Sequence, residues 1–188
     1  MNAQAQSVLD FWFGPGDAER EVWFRKDPAF DAEIARRFGP LVESALRDEL
    51  RDWQGEPASA LARIVLLDQF TRNIFRDTAR AFAGDSLALA AARAMVSAQH
   101  DQALPPLRRT FVYLPFEHAE DLAAQDEGVR LFSRLGADAP ALAGYADYAQ
   151  RHRAIIERFG RFPHRNAALG RLSTAEETAF LQLPGSRF

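Results

Sequence analysis

The sequence contains no cysteine, which excludes disulfide bonds, thiolate metal sites and thiol nucleophiles. Lysine is almost absent. Lys26 is the only lysine among 23 basic residues, so a Schiff base or a phosphate-loop lysine would have to be this residue. No segment reaches the roughly 18 consecutive apolar residues of a membrane-spanning helix. Residues 1–13 have neither a basic start nor a small-residue cleavage site, so we expect no secretory signal and a cytoplasmic protein that does not associate with membranes.

The rest of the composition is that of an ordinary soluble globular domain, with 47% hydrophobic and 26% charged residues. The 188 residues suffice for one domain or two small ones, and no linker or change in composition divides them. We therefore expect a single domain over residues 1–188. The formal net charge of −3 argues against nucleic acid as a partner, because proteins that bind it usually carry a basic surface.

The spacing of apolar residues is helical along most of the chain, and no stretch alternates as a β-strand does. Asp27-Pro28 is a typical helix start, and Ser173 with Glu176 has the spacing of a capping box. Helices are predicted over residues 4–13, 17–24, 28–53, 57–75, 85–100, 106–135 with a jog at Pro115 and a C-cap at Gly136, 140–159, a short one at Pro163, and a last one from Ser173. The sequence thus predicts an all-α fold of eight to nine helices, arranged as a bundle or as a solenoid.

The helix predicted over residues 57–75 is apolar on nearly every side, which is typical of a buried helix. Asp68 and Arg72 nevertheless project from an apolar face, four residues apart and in the order that favours an ion pair. One interpretation is an internal ion pair that ties neighbouring helices together, because a buried charge has to be paired. The other is the floor of a polar pocket, in which Arg72 holds a carboxylate or phosphate with two hydrogen bonds.

Residues 113–121, YLPFEHAED, combine one histidine with several carboxylates. His118 shares a helical stripe with Leu122 and is predicted to face inward. The side chains of Glu117, Glu120 and Asp121 are predicted to spread over the adjacent, wetter side. His118 is a candidate general acid or base, since the imidazole pKa lies near neutrality. An inward histidine is equally compatible with a core residue whose hydrogen bonds are satisfied.

Residues 158–171, RFGRFPHRNAALGR, contain a third group of polar side chains. Gly160 predicts a helix end, and Pro163 predicts the first turn of a short new helix. His164, Arg165 and Asn166 would then lie near a helix N-terminus, whose free N–H groups favour anions. The alternative is that these three side chains tie the loop backbone to neighbouring helices.

The region around this third group is strongly basic, because residues 151–171 contain six arginines against one glutamate. Two acidic segments, residues 1–56 and 113–150, have the opposite sign. The basic stretch either packs against those acidic segments within the fold or forms an anion site.

Several well-defined chemistries are missing from the sequence. It has no phosphate-binding GxxxxGK[ST] loop, no GxSxG nucleophile elbow and no strand-linked GxGxxG. Neither HExxH nor Glu-x-x-His occurs, which removes the usual zinc and di-iron spacings. We therefore expect no metal and no cofactor. His152 falls on an apolar stripe and is interpreted as structural.

The stretches LLDQFTRNIFR, YLPFEHAED and RFGRFPHRNAALGRLSTAEETAFL, in that order, resemble the bacterial family called domain of unknown function 924. The segments VLDFWFG and WFRKDPAFDAEIARRFGPL are similar to the opening of that family, so the resemblance covers almost the whole chain. It implies a tetratricopeptide-like all-α fold, either a right-handed superhelix or a compact array of helical hairpins. It brings no established activity and no catalytic residue. One departure is Glu117, where the family pattern has methionine before the histidine.

Two functions remain open at this point. In the first, the three polar groups converge on a pocket for a small anionic ligand, with His118 as acid or base. The predicted ligand-binding residues are Asp68, Arg72, Glu117, His164, Arg165 and Asn166. In the second, the chain is a tetratricopeptide-like module that binds a peptide or protein and has no catalytic activity. The inward position predicted for the polar residues favours the pocket.

Overall fold

The computed structural model describes residues 2–16 and 18–186, and within them it contains eight α-helices and no β-strand. The helices are α1 (Ala3–Phe13), α2 (Pro28–Leu46), α3 (residues 57–74), α4 (Asp85–Ser97), α5 (Pro106–Glu117), α6 (Leu122–Asp138), α7 (Gly144–Phe159) and α8 (Ala175–Phe180). The predicted all-α fold is therefore confirmed. The right-handed superhelix stays a prediction.

Most helix ends lie where local sequence signals place them. The Asp27 side chain accepts hydrogen bonds from the backbone N–H groups of Ala29 and Phe30 at the start of α2. Gly160 ends α7 in the left-handed conformation, with φ of 67°. The capping box of α8 begins at Thr174, one residue after the predicted Ser173. Side-chain caps act over three residues, which is why the sequence predicts them well.

Three predicted helices differ from the structure. The helix from Pro28 ends at Leu46 rather than near residue 53, because the chain turns at Asp48 in the left-handed conformation with φ of 60°. Over residues 17–24 the described part is only the 3₁₀ turn Glu21–Trp23, and Asp17 lies outside the described residues. The short helix predicted at Pro163 is likewise a single 3₁₀ turn, Pro163–Arg165.

The long helix predicted over residues 106–135 is in fact two helices. α5 ends at Glu117 and α6 begins at Leu122, after Asp121 caps its first turn through a 2.8 Å hydrogen bond from the Ala124 N–H. Gly136 is not a C-cap but lies inside α6, where a Cβ atom would come within 2.9 Å of the Ala143 Cα atom. The break places residues 118–121 in a turn at the end of α5.

The hydrophobic core joins all helices from α1 to α7, and α3 runs through it. Leu61, Ile64, Leu66, Leu67 and Phe70 of α3 are each fully buried, which confirms that this helix is apolar on nearly every side. A smaller buried cluster, formed by Ile155, Ile156 and Phe162, lies under the C-terminal part of the chain.

The hydrogen-bond pattern of α3 changes in its middle. Its first part, Pro57–Ile64, and its last part, Thr71–Ile74, are α-helical, and Val65–Phe70 between them is π-helical. Short π segments are rare and frequently lie at functional sites. This segment carries Asp68, so the change of helical phase determines the direction in which the carboxylate projects.

Gly84 allows α4 to begin directly beside the π segment. A Cβ atom at position 84 would lie 2.2 Å from the carbonyl oxygen of Leu67, far inside a real contact. We expect Gly84→Ala to lower the free energy of unfolding by about 1–3 kcal/mol, since the backbone of one element must shift. Urea denaturation measures the change. Gly39→Ala, inside α2 with nothing within 4 Å of the new Cβ, should leave stability equal or slightly higher, and equal losses in both variants would contradict the expectation.

Candidate functional site

An aspartate–histidine pair lies at the centre of the site. Asp68, fully buried on the π segment of α3, has its Oδ1 atom 2.7 Å from Nδ1 of His118. Nη1 of Arg72 donates to the Asp68 carbonyl oxygen at 2.6 Å and lies 3.2 Å from the Asp68 Oδ1 atom. Burial opposes ionisation of Asp68, but the charges of Arg72 and His118 outweigh it and hold the pKa of this carboxyl well below its usual range. Asp68 is therefore a buried carboxylate.

The charge of Asp68 determines which nitrogen of His118 carries a proton. Burial lowers the pKa of His118 despite the opposing effect of Asp68, so the imidazole is neutral at pH 7. Because an ionised carboxylate only accepts hydrogen bonds, Nδ1 must be the protonated nitrogen and Nε2 keeps its lone pair. Nε2 has no hydrogen-bond partner among the described residues, and the side chain is 16% exposed. A small molecule can therefore reach a basic nitrogen.

Asp85, in the first turn of α4, bridges two arginines. Its Oδ1 atom lies 2.9 Å from Nη1 of Arg72, and its Oδ2 atom accepts a 3.0 Å hydrogen bond from Nη1 of Arg165. Asp68, Arg72, Asp85, His118 and Arg165 thus form one connected group of side chains, which we call the polar cluster.

The guanidinium group of Arg165 is held between two aromatic rings. Its Cζ atom lies 4.7 Å from the ring centre of Phe82 and 4.5 Å from that of Phe162. Burial, followed by the charge of Arg72, lowers the pKa of Arg165 to about 10, which still leaves the group charged at pH 7. Nε of Arg165 and Nη2 of Arg72 are buried and have no hydrogen-bond partner among the described residues. The cluster therefore has more donors than its own carboxylates use.

Glu117 is buried, and its predicted place on the wetter side is wrong. Because α5 ends at Glu117, the helical phase assumed for a continuous helix does not apply, and only 4% of the residue is exposed. Its Oε1 atom lies 3.2 Å from Nδ1 of His152, whose ring centre is 6.3 Å from that of His118. Burial, followed by the charge of Asp68, raises the pKa of Glu117 to about 8. Glu117 is mostly a neutral carboxylic acid at pH 7.

Of the other predicted residues, His164 lies beside the polar cluster and Asn166 does not. The ring of His164 packs on Phe162 with centres 5.6 Å apart, and burial, followed by the charge of Arg165, lowers its pKa to about 4. The Asn166 amide donates to Ser173 Oγ at 3.1 Å and to Glu177 Oε2 at 3.3 Å, so it ties the chain before α8 to that helix. The third motif is thus divided between two networks.

The basic stretch packs against acidic side chains of the same chain, as one of the two interpretations predicts. Glu120, for example, accepts two hydrogen bonds from the Arg171 guanidinium, at 2.6 and 2.8 Å, and a third from the Phe162 N–H at 2.7 Å. Further ion pairs are Arg153–Asp126, Arg158–Glu176, Arg161–Glu177 and Arg165–Asp85. Only Arg165 among these five arginines extends into the polar cluster.

Sequence reasoning does not identify the roles of Asp85, Phe82 and His152. The sequence marks Asp85 only as a helix start, and its contact with Arg165 joins residues 80 positions apart. Nothing in the local sequence indicates such a contact. His152 is buried on the apolar stripe as predicted, but its partner is the carboxyl of Glu117, which the stripe does not reveal.

Other possible sites are few in the described part of the chain. No group of three or more His, Asp or Glu side chains there has an arrangement that could hold a metal ion. A cavity of about 100 Å³ is lined by Asp101, Gln102, Arg109, Tyr113 and Arg134, among others, away from the polar cluster. None of the helices is both long enough and apolar enough to cross a bilayer, as far as the described residues go.

Comparisons with known proteins agree with the resemblance found in the motifs. A family described as "Bacterial protein of unknown function (DUF924)" matches residues 8–185. The solved structure of ATU0120, a protein of unknown function from Agrobacterium tumefaciens, is similar over 96% of this chain and 97% of that one, with 44% sequence identity and a TM-score of 0.86. The curated proteins include no match.

Proposed function

Because the chain belongs to DUF924, a bacterial family whose description names no activity, we propose a function from the site itself. The protein is a general-base enzyme for a small anionic substrate. His118 removes a proton through Nε2, and the guanidinium groups of Arg72 and Arg165 hold the anionic group. The observation that carries this proposal is the 2.7 Å contact between the buried Asp68 carboxylate and Nδ1 of His118.

The Asp68–His118 pair has the features that a catalytic histidine needs. A carboxylate on Nδ1 fixes the tautomer and ring orientation, and it stabilises the imidazolium that forms when Nε2 takes a proton. The lowered pKa of His118 keeps the ring neutral, and therefore able to accept a proton, at neutral pH. A residue needed only for packing would gain nothing from an unpartnered, solvent-accessible Nε2.

The two arginines supply the complementary charge. Arg165 is buried and fixed by Phe82 and Phe162, so little side-chain entropy is lost when it binds an oxyanion. The unpartnered donors, Nε of Arg165 and Nη2 of Arg72, are in a low-dielectric environment, where a charge-assisted hydrogen bond is strong. Carboxylate and phosphate are the groups whose geometry matches a guanidinium.

Ligand binding is tested by thermal unfolding with inorganic phosphate and with short mono- and dicarboxylates. A ligand at one hundred times its dissociation constant stabilises the native state by about 2.7 kcal/mol, which for this length raises Tm by roughly 5–11 °C. We expect such a rise for at least one anion, and its loss in Arg165→Gln.

The matched control for this experiment is Arg158→Gln, because Arg158 is also an arginine that pairs with a glutamate and contacts phenylalanine rings, but on the surface. It should leave the rise in Tm unchanged. A panel with no shift, or an equal loss in both variants, would contradict the anion site and favour the tetratricopeptide-like interaction module.

A further inference from the structure

The carboxylate of Asp85 occupies the place between two guanidinium groups that an external anion would take. Each of its oxygens contacts a different arginine, Oδ1 at 2.9 Å from Arg72 and Oδ2 at 3.0 Å from Arg165. A bound carboxylate or phosphate is commonly held between arginines in this way. The two arginines therefore already hold an anionic group, and it belongs to the protein itself.

We propose that Asp85 is a displaceable internal counter-ion, which leaves Arg72 and Arg165 when the carboxylate or phosphate group of the ligand binds between them. This inference rests on the proposed function and identifies the seat of the ligand's anionic group. A single carboxylate cannot use all the donors present, since Nη2 of Arg72 and Nε of Arg165 are buried without partners among the described residues. An oxyanion that uses them as well would be bound more completely than Asp85 is.

The contacts of Asp85 are those of a group that can leave. Its side chain is 21% exposed, so a path to solvent exists. Oδ1 accepts no aligned hydrogen bond from the described residues, although it lies 2.9 Å from Nη1 of Arg72. Arg165, by contrast, is fixed by the rings of Phe82 and Phe162 and stays in place. Exchange therefore moves the carboxylate and not the guanidinium group.

The displaced carboxylate has a second partner within reach. α4 is 13 residues long, and its N-cap, Gly84, provides no side-chain hydrogen bond. The first-turn N–H groups of α4 therefore have no side-chain acceptor at the N-cap, and Asp85 lies in that turn. A carboxylate at a helix N-terminus is stabilised by these N–H groups and by the helix dipole. Asp85 thus has two alternative positions, on the arginines or on its own helix.

The test compares the affinity for inorganic phosphate by calorimetry in wild type, Asp85→Asn and Asp85→Ser. Removing an internal competitor that occupies its seat more than nine-tenths of the time tightens binding about tenfold or more. We expect that gain in both variants. The serine substitution is included because its hydroxyl favours the start of a helix, which keeps one variant folded if the asparagine substitution destabilises α4.

Two control variants separate displacement from a simple change of charge. Asp31→Asn removes a carboxylate that pairs with Arg76 elsewhere, at 2.9 Å, and should leave phosphate affinity unchanged. Asp68→Asn removes one negative charge from the polar cluster but leaves Asp85 between the arginines. If Asp68→Asn tightens binding as much as Asp85→Asn does, charge alone explains the gain and the inference is overturned.

The remaining outcomes distinguish the inference from the proposed function. If wild type binds phosphate and Arg165→Gln does not, but both Asp85 variants bind no more tightly than wild type, then Asp85 is no competitor and only the inference fails. If neither wild type nor any Asp85 variant binds phosphate or acetate, the anion site itself is wrong and both fail. Tight binding in the Asp85 variants with weak binding in wild type supports both.

Discussion

Asp68→Ala is expected to lower the free energy of unfolding by about 3–5 kcal/mol at pH 7. The reason is that the substitution leaves Arg72 without one of its two carboxylates and leaves Nδ1 of His118 without an acceptor, both in a mostly buried environment. Removing one partner of a buried ion pair is strongly destabilising, because the remaining charge keeps its desolvation penalty. Urea denaturation followed by circular dichroism measures the change.

The control is Glu176→Ala, which removes the partner of Arg158 on the surface. Both side chains there are at least half exposed, so the expected loss is below about 1 kcal/mol. A loss of that size in Asp68→Ala would mean that the polar cluster contributes little to stability. In that case its charges would be retained for binding alone.

Glu117→Gln is expected to stabilise the protein at alkaline pH by up to about 4 kcal/mol at pH 8. The pKa of Glu117 is raised by burial from 4.5 to about 8, so the folded state keeps a proton that the unfolded state has released. Stability from this group is therefore complete below pH 4.5 and falls as the pH rises toward 8. The glutamine variant has no such proton to lose and keeps a side-chain oxygen for His152.

The pH dependence gives the clearest readout of this effect. Between pH 4.5 and 6.5 the buried neutral His152 and His164, with pKa values lowered to about 3 and about 4, act in the opposite direction. Above pH 6.5 only the effect of Glu117 remains among these three. The wild type should then lose about 1.4 kcal/mol per pH unit up to pH 8, and Glu117→Gln should not. The exposed Glu157→Gln is the control, and a wild-type slope shared by Glu117→Gln would refute the assignment.

Much of the fold could be predicted because its signals are local. The caps at Asp27, Glu56 and Gly160 act within a few residues, and the apolar surface of α3 is evident from its own composition. The break between α5 and α6 could not be predicted in the same way. Residues 118–121 lie between two apolar stripes that nearly continue each other, and the turn is stabilised by contacts of Gln125 with the carbonyl groups of Glu117 and Ala119.

The candidate site was predictable in its parts but not in its connections. The pair of Asp68 and Arg72 follows from helical spacing, and the structure confirms their ion pair. The inward direction of His118 was also predicted, but the carboxylate that holds it comes from a helix 50 residues earlier. Asp85 gave no local signal at all. Long-range partners of this kind depend on how helices pack, which periodicity does not describe.

The clamp of Phe82 and Phe162 on Arg165 also has a consequence for biosynthesis. A chain emerging from the ribosome presents Asp68, Arg72 and His118 well before residue 165, and N-terminal segments begin to fold first. Until the segment with Phe162 arrives, the second guanidinium is missing and Phe82 lacks its aromatic counterpart. A nascent or prematurely terminated polypeptide therefore holds an unfinished site, and any activity arises only once the segment carrying residues 162–165 has been translated.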